Sequence, residues 1–90
     1  MEEDKKQYLS LLSEIIAKQM IILGPDIAIL KAKSVPSLNV NNKGQVTNID
    51  GFVADAVKKL VNTYLELSDQ ATKNVIDSVF DKYPNIKKVD

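Results

Sequence analysis

Near its start the chain carries apolar residues at Leu9, Leu12, Ile16, Met20 and Leu23, with Tyr8, Leu11, Ile15 and Ile22 beside them. Steps of three and four residues predict a helix. Asp4 reads as its cap, with Gln7 three residues later in a capping-box arrangement. Gly24-Pro25 ends it, because glycine accepts the left-handed turn and proline cannot continue the ladder. Ile15, Ile16, Met20, Ile21, Ile22 and Leu23 surround much of the circumference. A helix apolar nearly all round is normally covered nearly all round, by its own chain or by a second copy.

The segment 25–34 is predicted as a helix of two to three turns. Proline suits its first position, Asp26 its first turn, and Ile27, Leu30 and Ser34 share a face. A short buried strand over Ile27-Ala28-Ile29-Leu30 is the alternative. Val35-Pro36 closes the segment. From Leu38 to Ile49 the period changes to two, and Asn41-Asn42-Lys43-Gly44 supplies turn residues, which predicts a β-hairpin.

Asp50 is the expected cap of a further helical region. Val53, Val57, Leu60, Tyr64 and Leu67 form one seam, supported by Ala56 and Val61. Val75, Ile76, Val79, Phe80 and Tyr83 form a second seam on a different face. A break near Ser68-Asp69, with Ser68 as the new cap, reconciles the two, although one long helix is the other solution. The tail 86–90 is expected to be loose. The fold class is therefore α+β, predominantly helical, in the order α-α-β-hairpin-α-α, as one small domain over 1–90.

Composition narrows the chemistry. With 0 cysteines and 0 histidines among 90 residues, the best nucleophile, the commonest general base and the usual zinc ligands are all missing. No cofactor, metal or enzymatic activity is expected. Asp77 and Asp81 share a helix face but read as a solvated pair near Lys73 and Lys82. Asn-Asn-Lys-Gly lacks the glycines and Lys-Ser/Thr ending of a phosphate loop, and no alternating acids precede Asp50-Gly51 as a calcium loop requires. The formal charge is +0 and all 12 bases are lysine, so neither net charge nor arginine forks favour nucleic acid. No apolar run reaches the ~20 residues of a membrane span, and the acidic start does not resemble a signal peptide. The expected setting is cytoplasmic.

These features point to a non-enzymatic module that self-associates, as a homodimer, and presents a surface to another protein. The expected association surface is Leu12, Ile16, Met20 and Leu23, with Leu60 and Tyr64 as a second surface. The alternative is a winged-helix-like DNA-binding protein. Its helix 26–34 and hairpin 38–49 would offer Lys31, Lys33 and Lys43 to phosphates and Asn41, Asn42 and Gln45 to a groove. A third reading is a small-ligand sensor using Tyr8, Tyr64 or Tyr83 as a hydroxyl donor.

Overall fold

The computed structural model describes residues 2–67, 70–84 and 86. Four helices and one hairpin follow in the order α1 (Glu2–Leu23), α2 (Pro25–Lys33), β1 (Leu38–Val40), β2 (Val46–Ile49), α3 (Val53–Leu65) and α4 (Gln70–Asp81). This is the expected α+β arrangement. At about 1.5 Å per residue, the 22 residues of α1 match the 33 Å long dimension of the molecule. Every other helix, and β2, packs against α1.

The face of α1 that does this is Leu11, Leu12, Ile15, Ile16 and Gln19, all fully buried. α1 begins at Glu2, so Asp4 lies inside the first turn and is not the cap. Gly24 takes φ 88° and donates its N–H to the Met20 carbonyl, closing α1. Its own carbonyl accepts from Ala28, opening α2 one residue later. The segment 25–33 is a helix and not a strand. Its core face is Ala28 and Ala32, whereas Ile27 and Leu30 point outward. The small residues are inside because Tyr64 of α3 reaches α2 directly, its hydroxyl donating to the Ala28 carbonyl at 2.7 Å.

In the hairpin Leu38 pairs with Ile49, Asn39 with Asn48 and Val40 with Val46, with a bulge at Thr47. Leu38, Val46 and Ile49 face the core. The hairpin is fastened to α1 twice. Ser13 Oγ accepts the Val46 N–H at 2.9 Å. Gly44, at φ 82°, lies so close to α1 that a Cβ there would stand 2.9 Å from Met20 Sδ and 3.1 Å from Ile16 Cγ2.

α3 starts at Val53 with Phe52 at its cap position and no side-chain cap. Asp50 instead donates its N–H to Ser37 and accepts from Asn48 Nδ2. Ala56, Val57, Leu60, Val61 and Tyr64 are buried, but Leu67 lies beyond the helix end and is exposed. α3 and α4 are separate helices, as the change of seam requires. Ser68 and Asp69, the expected break and cap, lie outside the described residues. On α4, Ile76, Val79 and Phe80 are buried and Val75 and Tyr83 half-buried. Ile86 is not loose: it is buried and its N–H donates to Tyr83. Residues 87–90 lie outside the description.

Two polar residues stand out in this core. Gln19 is fully buried, and neither its Nε2 nor its Oε1 has a hydrogen-bond partner. Each such atom forfeits its hydration at a cost of about 1–3 kcal/mol. Gln19→Met, unbranched and of similar length, is therefore expected to stabilise the protein by roughly 1–2 kcal/mol in urea unfolding; a loss of stability would mean that the amide is satisfied. Tyr64 is the second. Burial holds its phenol well above the ordinary 10.0. Below pH 10 both folded and unfolded forms keep the proton, whereas above it only the unfolded chain releases it. Stability should therefore fall as pH rises beyond about 10, an alkaline limb that Tyr64→Phe flattens while lowering neutral-pH stability by about 1–2 kcal/mol.

Candidate interaction surface

The residues expected to mediate association divide sharply. Leu12, Ile16, Leu60 and Tyr64 have 0% exposure within a single chain. They are core, because α2, the hairpin, α3 and α4 suffice to cover that face of α1. Met20 and Leu23 are half-buried against the same core. Within a single chain this face of α1 is therefore closed.

The large aliphatic side chains that α1 and α2 leave exposed lie on either side of their link. Ile21 is 80% exposed, Ile27 50% and Leu30 66%, with Ile22 partly exposed. On α1 the steps from the buried Leu12, Ile15, Ile16 and Gln19 put Ile21 on the far side of the helix. On α2, Ile27 and Leu30 stand opposite Ala28 and Ala32. These apolar side chains flank the α1–α2 corner, all within six residues of the one-residue link at Gly24.

Two grooves adjoin this corner. One, of about 540 Å³, runs between α1 and the hairpin tip and is lined by Ala17, Met20, Ile21, Pro25 and Gly44, with Ser13, Glu14, Lys43 and Gln45. The second, of about 350 Å³, is lined by Asp26, Ile29, Leu30, Lys33 and Asn42. Phe52, 81% exposed at the cap position of α3, is a separate apolar projection.

The polar residues assigned to a nucleic-acid surface are close together but already engaged. Asn41 Oδ1 accepts the backbone N–H of Lys43 and of Gln45, both at 2.9 Å, and its Nδ2 donates to Gln45 Oε1 at 3.0 Å. This is the work of a turn-forming asparagine. Lys33 Nζ donates to Asn42 Oδ1 at 2.8 Å. Lys31 is half-buried at the end of α2, its carbonyl accepting from Ser34 Oγ, and Lys43 is exposed at the hairpin tip. The α1–α2 link is one residue, shorter than the three- to four-residue turn of a helix-turn-helix.

The tyrosines of the ligand-sensor reading are placed similarly. Tyr64 donates to Ala28, and Tyr8 is half-buried against the core. At Tyr83, burial and then the neighbouring Glu14 carboxylate, which accepts its hydroxyl, raise the phenol, while Lys82 acts the other way. Lys82 Nζ lies 3.0 Å from Glu14 Oε2, so Lys82 ties the end of α4 to α1. Asp81 is exposed and Asp77 half-buried. Among the described residues no group of three acidic, histidine or cysteine side chains is arranged to hold a metal ion. No helix among them is long and apolar enough to cross a membrane.

Comparison with known proteins finds no matching family model, no matching curated protein and no matching solved structure.

The loop assignment of Asn41 has a measurable consequence. Asn41→Ala removes three hydrogen bonds of the hairpin turn and should cost about 1–2 kcal/mol of stability in chemical unfolding. Asn42→Ala, which removes one exposed contact, should stay within about 0.5 kcal/mol.

Proposed function

We propose that this chain is a non-enzymatic interaction module that works by self-association and presents the same kind of surface to other proteins. One observation carries the reading. The chain completes its core by itself, yet leaves Ile21, Ile27 and Leu30 mostly exposed at one corner. A single exposed leucine is ordinary. Three large aliphatic side chains within ten residues, on two helices joined by one glycine, make an apolar surface of the kind that marks protein contacts. Full burial of such a side chain yields about 1.5–3 kcal/mol, so covering these three drives association measurably. A fold that uses no cysteine suits a reducing setting, and the cytoplasm is proposed as its location.

Light scattering at two protein and two salt concentrations tests this reading. The mass should rise above the 10.0 kDa of the chain as concentration increases, and should survive added salt because the contact is mainly apolar. Leu30→Glu should return it to a folded monomer. A wild-type monomer at every concentration up to about 1 mM, where ΔG of association is no better than about −4 kcal/mol, would remove self-association from the proposal.

A further inference from the structure

Resting on that reading, we infer that the partner is a second copy of this chain, docked through antiparallel pairing of the outer faces of two α2 helices. The outer face of α2 has a particular order. Asp26 stands in its first turn, Lys33 in its last, and Ile27 and Leu30 lie between them. Asp26, Leu30 and Lys33 line one shallow groove, so the two charges flank Leu30 on the same side.

That arrangement is complementary to itself. Consider a two-fold axis lying in the plane of contact, perpendicular to α2 and level with the midpoint between residues 29 and 30. The operation reverses the helix direction but keeps each flank on its own side. Asp26 then faces Lys33 of the second copy, and Lys33 faces Asp26 of the second copy. Leu30 falls within about 1 Å of the axis along the helix, given a rise of about 1.5 Å per residue, and meets its own counterpart. Ile27 covers the opposite flank.

A parallel two-fold pairing of the same faces would swap the flanks, setting Asp26 and Lys33 against the Ile27 side of the second copy and leaving both charges without a partner, so the charges select the antiparallel arrangement. The same charges also complement the dipole of α2 within one chain. The dipole does not account for two exposed aliphatic residues placed between them. Lys33 has three donors and keeps its bond to Asn42 while pairing across the interface. α2 is only nine residues, about 13 Å long, so the contact is smaller than the roughly 800 Å² per partner of a standard interface. The dimer is accordingly weak and concentration-dependent.

The absence of cysteine from the native chain makes the geometry directly readable. Packed helices stand about 8–10 Å apart with Cα atoms about 2.3 Å from each axis, which brings facing Cα atoms within disulfide range. Leu30→Cys, treated with oxidised glutathione at a concentration where the wild type associates, should form a covalent dimer. Lys58→Cys, on the exposed face of α3, should not.

Charge exchange provides an independent arm that keeps Leu30. Lys33→Asp should weaken association about tenfold, because two attractive pairs become two repulsive ones. The double exchange Asp26→Lys with Lys33→Asp should restore it to within about threefold of wild type. Circular dichroism confirms that each variant is folded. A wild-type dimer with no Leu30→Cys cross-link and no response to charge exchange would overturn the α2 pairing and leave self-association standing. A wild-type chain that stays monomeric would overturn both.

Discussion

The burial of one face of α1 is the constraint from which the rest of the structure follows. Ninety residues without cysteine can sustain only a modest core, and much of it is organised along this one helix. Leu11, Leu12, Ile15 and Ile16 are fully excluded from water, and α2, β2, α3 and α4 all pack against this helix. Two directed hydrogen bonds fix the neighbours in place. Ser13 to Val46 positions the hairpin, and Tyr64 to Ala28 joins α3 to α2. Glu14 draws in the far end of α4 through Lys82 and Tyr83. The interior therefore has a unique arrangement despite its small size.

That closure redirects attention to what remains outside. A helix with apolar residues on more than one side presents two problems: the interior side is solved by the chain, and the remainder is left at the α1–α2 corner. The choice of alanine for the inner face of α2 is part of the same economy of space. With Ala28 and Ala32 inward, α2 approaches close enough for a tyrosine to reach its backbone. Its larger side chains, Ile27 and Leu30, then have no place in the core and stand in water.

Most of the architecture was legible in the sequence because it rests on local signals. Gly24-Pro25 marks the α1–α2 boundary, the Asn-Asn-Lys-Gly run marks the hairpin, and the change of apolar face between Leu60 and Val79 separates α3 from α4. Caps were less legible. Asp4 and Asp50 have the right chemistry, but the first helix starts earlier and the third later, since Asp50 is committed to the hairpin end. Which apolar residues stay exposed was not legible, for a physical reason. Periodicity finds a helix's apolar stripe but not which stripe tertiary neighbours cover, so Leu12 and Ile16 looked as available as Ile21. Ile27 and Leu30 were visible as a shared face, but only the contact of Tyr64 with Ala28 shows that this face points away from the core. Nothing in local pattern distinguishes the buried Gln19 from any exposed glutamine.

The position of α4 against α1 has a consequence for how the protein is made. The helix that needs covering leaves the ribosome well before Ile76, Val79 and Phe80 of α4, which help to cover it. At about 5–20 residues per second, the stretch separating them takes roughly 3–12 s to elongate. Throughout that interval the nascent chain carries an unshielded aliphatic ridge. α2 and the hairpin, which follow immediately, act as a provisional sheath along part of it. The arrangement couples native closure to the synthesis of α4, so a messenger truncated before α4 would yield a product with its longest helix partly bare and prone to aggregate.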